Sequence, residues 1–286
     1  MEEISGDIML GTLTVSQHGE MRVHTYTAPD DGWCVNTHIL ELTTQLLVVD
    51  AQYTLPYARD VLAYAQTLGK PISRLYITHY HPDHLLGAVV FQVPVFALAE
   101  VKAKIEAVGD RVAAEENEKC GDIIASRAER PNQIVHPVEE TIDGTRIESI
   151  RLQHAETEDA LMIALPDHEV LITQDLIYNR VHAFVGEKAF DTWSGAIEEY
   201  RKRSYKRILP GHGAPGGPEL YDRMLLYLSV VREEFSEAGD GEDLKRRLFA
   251  AFPDYEGRLM VDHEMRFLFP TINSKKRDHN EEKQHR

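Results

Sequence analysis

The chain has 286 residues, enough for one α/β domain with a substantial core, alone or with a small appendage. Its formal charge of −16 repels a phosphate backbone, which argues against nucleic acid as partner, and no apolar run reaches the length that crosses a bilayer. Two distant cysteines, Cys34 and Cys120, offer neither a disulfide framework nor a thiolate metal site.

The acidic start, Met1 to Asp7, lacks the basic-then-apolar pattern of a secretory signal, so a cytoplasmic protein is expected. Val35 to Leu42 and Leu46 to Asp50 are β-rich runs around Thr43-Thr44-Gln45 and predict a hairpin whose second strand ends on Asp50. Helical spacing of Val61, Leu62, Tyr64, Ala65 and Leu68 predicts a helix from Pro56 to Leu68, stopped by Gly69-Lys70-Pro71. A short strand, Arg74 to Thr78, follows. Lys102 to Ala128 favours helix with a break at Gly109-Asp110.

A related order recurs downstream. Ala160 to Leu165 and Val170 to Thr173 form a second hairpin leading into Asp175, Ser194 to Lys202 reads as a helix, and Arg207 to Leu209 runs into Pro210-Gly211-His212-Gly213. Two such halves suit an αββα sandwich of two mixed β-sheets flanked by helices, an α/β fold. Residues 1–216 are expected to form this domain, 217–270 a C-terminal helical extension with helices at Leu220 to Phe235 and Leu244 to Phe252, and 271–286 a disordered polar tail.

The densest chemistry is Thr78-His79-Tyr80-His81-Pro82-Asp83-His84-Leu85-Leu86-Gly87, three imidazoles and a carboxylate within six positions at a strand end. Packing four such groups into one turn is costly without a cation. In extended chain His79 and His81 point the same way and can share one ion at about 2.0–2.1 Å. Pro82 suits a first helical position, turning Asp83 and His84 toward a second ion. Four ligands cannot complete two sites. His154, Asp175 and His212, each at an expected element end, are the candidates for the rest.

His-x-His-x-Asp-His followed by His, Asp and Pro-Gly-His-Gly resembles the metallo-β-lactamase superfamily over roughly residues 10 to 216. The resemblance implies two Zn2+ per chain, with His79, His81 and His154 on one, Asp83, His84 and His212 on the other, and Asp175 bridging. Gln153 and Gln174 stand where that family often has glycine.

Two zinc ions about 3.5–4 Å apart lower the pKa of a shared water toward neutrality, giving hydroxide without a protein nucleophile. The expected function is therefore hydrolysis of an activated carbonyl in a small molecule, with Asp83 or Asp175 holding the proton. Tyr178, three residues after Asp175, resembles a tyrosine of the homoserine-lactone hydrolases that faces the substrate carbonyl, which favours a lactone or ester. Tyr178, His182, Phe184 and Trp193 are the expected substrate-binding residues. β-Lactam or glutathione-thioester hydrolysis is the alternative. A mononuclear iron persulfide dioxygenase, or metal binding without catalysis, belongs to another class. A small-molecule substrate with no nucleic-acid or membrane partner is expected, and a homodimer is left open.

Overall fold

The structure, a computed structural model, describes residues 9–270; the expected polar tail at 271–286 lies outside the described residues. Two mixed sheets form its centre. The first runs β1 (Thr12–His18), β2 (Met21–Thr27), β3 (Asn36–Glu41), β4 (Leu46–Val49), β5 (Ile72–Tyr76), β6 (Val95–Leu98) and β7 (Gln133–Val135) in spatial order. Its pairings are antiparallel as far as β4 and parallel from β4 to β7. The second holds β8 (Glu139–Ile142), β9 (Thr145–Gln153), β10 (Asp159–Leu165), β11 (Val170–Tyr178) and β12 (Arg207–His212) in the order β12-β11-β10-β9-β8. Only its β11–β12 pair is parallel.

Every residue of β3, β4 and β11 is buried. Such strands carry apolar residues on both faces because each sheet is covered on one side by its partner and on the other by helices. Helix α1 (Leu55–Thr67) is started by the Thr54 hydroxyl, which accepts from the Tyr57 N–H, and buries Tyr57, Ala58, Val61 and Ala65. The remaining helices are α2 (Pro82–Leu85), α3 (Ala99–Cys120), α4 (Phe190–Arg201), α5 (Glu219–Glu237), α6 (Gly241–Ala251) and α7 (Arg258–Leu268).

Two expectations need correction. The break at Gly109-Asp110 does not occur: α3 runs unbroken through it. Gly109 instead lets the helix lie close on Ala128, since a Cβ there would stand 3.0 Å from the Ala128 methyl. The strand expected to stop at Thr173 continues to Tyr178, although its register against β12 shifts between Ile172 and Gln174 and again before Tyr178. That irregularity re-aims the residues between, Asp175 among them. Among the described residues no helix is long and apolar enough to cross a membrane.

Candidate metal centre

β4 and β5 run parallel, so their C-terminal ends share one end of the first sheet; β9, β11 and β12 likewise point the same way in the second. The chain leaving these ends carries the chemistry. Asp50, just past β4, receives the Thr78 backbone N–H at 2.8 Å, the Thr78 hydroxyl at 2.8 Å and His84 Nδ1 at 2.7 Å. Gln174 also donates to it. Gln174 takes φ +43°, the left-handed backbone that makes glycine common at this place, and its amide spans the two sheets.

These contacts fix ring orientation. With His84 Nδ1 committed to Asp50 and His212 Nδ1 donating to the Trp33 carbonyl at 2.7 Å, both Nε2 atoms face inward, 3.3 Å apart. The His212 loop is clamped from the first sheet: Asn36 Nδ2 donates to the Pro210 and Gly213 carbonyls at 2.9 and 2.7 Å. Gly211 has no alternative, because a Cβ there would lie 1.9 Å from Asp175 Oδ1.

Two ligand groups result. His79, His81, Glu156 and Asp175 converge in one; Asp83, His84 and His212 converge in the other. Asp175 reaches both, with Oδ1 3.2 Å from His84 Nε2 and Oδ2 3.4 Å from His212 Nε2 and 3.6 Å from His79 Nε2. Asp83 Oδ2 lies 3.3 Å from His84 Nε2 and 3.2 Å from His212 Nε2. Six of the seven expected ligands are thus brought together.

The seventh, His154, is not. It takes φ +52° just past β9, where its amide bonds the Glu158 carbonyl and its side chain turns to solvent. The turn delivers Glu156 instead, buried, with Oε1 3.0 Å from His81 Nδ1 and Oε2 3.9 Å from His79 Nε2. A carboxylate is an ordinary oxygen ligand for a divalent ion.

The residues fit such ions. His79 Nε2, both Glu156 oxygens and Asp175 Oδ1 are buried without a hydrogen bond of good geometry, an expensive arrangement for which a shared cation is the simplest remedy. The electrostatics of the cluster agree. Burial pushes the Glu156 carboxyl up to about 7. Burial opposes charge on His212 too, but the Asp175 and Asp83 carboxylates outweigh it and raise the imidazole to about 9. Protons here stand in for positive charge that ions would supply. Mixed imidazole and carboxylate ligands suit zinc, and also iron and manganese.

The cluster floors a cavity of about 540 Å³ bordered by Trp33, Tyr80, Phe184 and Tyr178, with α3 supplying Arg111 to Lys119 and α7 supplying Met260, His263, Arg266 and Phe267. Phe184 lines the cavity and stands edge-on to His81 at 5.2 Å. Tyr178 stacks on His212 at 4.5 Å and donates to Asp175 Oδ2 at 2.5 Å. Two expected substrate contacts lie elsewhere. His182 is buried beside the Tyr227 hydroxyl at 3.2 Å, amid Phe249, Phe252 and Tyr255. Trp193 is buried under β11, its indole N–H donating to the Leu176 carbonyl at 2.9 Å.

The model of the Metallo-beta-lactamase superfamily matches residues 31–212. A linear primary-alkylsulfatase from Pseudomonas sp. is 24% identical over 228 residues, covering 65% of this chain and 43% of the relative, so the chain spans less than half the length of the curated relative it matches. Two solved structures share the fold: a metallo-beta-lactamase from Pontibacter korlensis (22% identity, 76% of this chain and 99% of that one, TM-score 0.58) and FIM-1 from Pseudomonas aeruginosa in its mono-zinc form (20% identity, 77% and 95%, TM-score 0.56). The family match spans well over half of the sequence and takes in every residue of the two groups, so the chain belongs to the metallo-beta-lactamase superfamily.

Proposed function

We propose that the protein is a two-zinc hydrolase acting on a neutral ester or lactone. The observation that carries this is the pair of buried ligand groups sharing Asp175 beneath an apolar-walled cavity. Two divalent ions held by these groups would supply Lewis acidity and lower the pKa of a bound water toward neutrality. Asp83 and Asp175, both in the cavity floor, would be the carboxylates placed to hold a proton released in hydrolysis. Tyr178 keeps Asp175 oriented through its hydroxyl and lines the floor where the carbonyl oxygen would lie. Trp33, Phe184, Met260 and Phe267 bury the apolar part of the substrate.

Charge around the cavity supports a neutral substrate. Arg111, Lys119 and Arg266 are matched there by Glu115, Glu116, Glu118 and Glu187, and each of the three cations lies within 4.0 Å of a carboxylate. A sulfate ester is the second reading, favoured by the likeness to an alkylsulfatase. Turnover by zinc-loaded protein of 4-nitrophenyl butyrate, γ-decalactone, dodecyl sulfate, nitrocefin and S-lactoylglutathione decides between them. Carbonyl-ester or lactone turnover is expected. Sulfate release alone would replace it with the second reading, and oxygen uptake on glutathione persulfide without hydrolysis would overturn both.

A further inference from the structure

Helix α7 puts an imidazole, His263, into the cavity wall from outside the family-matched span, and the chemistry above leaves it unused. Its ring meets Trp33 edge-on at 5.0 Å and Phe184 edge-on at 6.3 Å, with Phe184 in turn against His81. One turn further along α7, Arg266 Nη2 stands 2.9 Å from His263 Nε2. A guanidinium has only donors, so Nε2 must be the acceptor and the ring proton must sit on Nδ1. Arg266 is oriented by Glu116 of α3, whose Oε1 is 3.7 Å away and whose Oε2 accepts from the Tyr53 hydroxyl at 2.7 Å. Burial, helped by the Arg266 charge, pulls the imidazole down to about 4, so the ring is neutral at physiological pH. The result is a neutral donor of fixed tautomer in a stretch of wall built from Trp33, Phe184 and Phe267.

We propose that His263 is a substrate-binding residue that donates its Nδ1–H to an acceptor oxygen of the ester or lactone in the cavity. This rests on the hydrolase reading. Arg266 is the positioning residue, acting through the tautomer and not by touching substrate. Because an asparagine amide places an N–H close to the Nδ1 position and phenylalanine keeps only the ring, the two substitutions separate hydrogen bonding from packing.

The test uses zinc-loaded full chain labelled with 15N-histidine. Two-bond 1H–15N correlation spectra, with His263 assigned from its absence in H263N, are expected to show the Nδ1–H tautomer in the wild type and a mixture in Arg266→Met. Titration with hexanoate, a product-like carboxylate, should move the His263 Nδ1 resonance. On 4-nitrophenyl butyrate, His263→Phe should lower kcat/KM on the order of tenfold, chiefly through KM, and H263N should stay within about threefold of wild type. An Nε2–H tautomer, an Nδ1 resonance unmoved by saturating hexanoate, or H263F kinetics equal to wild type would each overturn the proposal. If no panel substrate turns over, the hydrolase reading has failed, and the spectra still decide the role of His263.

Discussion

Glu156→Gln keeps the size and one oxygen of the side chain but removes the charge that a cation needs. In metal-free protein the change should be close to neutral, because burial already pushes this carboxyl up to about 7 and a neutral amide is easier to bury. In loaded protein the effect should reverse. An ion present at about 100 times its Kd stabilises the native state by about 2.7 kcal/mol; a loss of affinity of about 100-fold leaves about 0.4, so about 2.3 kcal/mol of zinc-dependent stability disappears. For a chain of this size that is a fall in Tm of roughly 5–9 °C with zinc and little change in chelator. Thermal unfolding in both conditions, with His154→Ala beside it, checks the assignment. E156Q matching wild type in zinc, or H154A showing the zinc-dependent loss instead, would refute Glu156 as a ligand.

Asp83→Ala should release the ion of the second group and most activity while leaving the fold largely intact, since Asp83 bonds mainly within the cluster; metal content and circular dichroism report the two parts. Tyr178→Phe should retain both ions yet lose about tenfold in kcat through the missing hydrogen bond to Asp175, measured on 4-nitrophenyl butyrate. Stability should also fall at acid pH through Glu41. Burial raises that carboxyl, but hydrogen bonds from Arg22, Lys70 and His24 outweigh it and bring it down to about 2. A carboxylate depressed in the folded state contributes above its unfolded value of about 4.3 and loses that contribution as pH falls toward 2. Discounted for the half-exposed Arg22, this is about 1–2 kcal/mol, so urea unfolding in chelator should show a gap between wild type and Glu41→Gln that is open at pH 7 and narrows below about pH 4.5.

The ligand motif was legible because strand ends are where such folds carry chemistry, and His79 to His84 is too dense in imidazole and carboxylate to be packing. The buried β4 and the first half of β11 announce themselves as apolar runs. Strand β1, half-exposed and reading Thr-Leu-Thr-Val-Ser-Gln-His, and the three-residue β7 offer too little patterning to be singled out. Glu156 escapes the sequence for a backbone reason. Which residue of His154-Ala155-Glu156 faces the ions depends on the left-handed turn at His154, and no composition signal marks a histidine that adopts it. His182 and Trp193 follow Tyr178 closely in sequence, but β11 ends at Tyr178, and the chain beyond it buries His182 against the C-terminal helices and Trp193 against β11.

The most direct test of the two-metal centre is the metal content per chain, by elemental analysis of protein purified without added metal. Two divalent ions per chain, predominantly zinc, with Glu156→Gln and Asp83→Ala each falling to about one, is the predicted result. A single iron per chain, unchanged by Asp83→Ala, would contradict it.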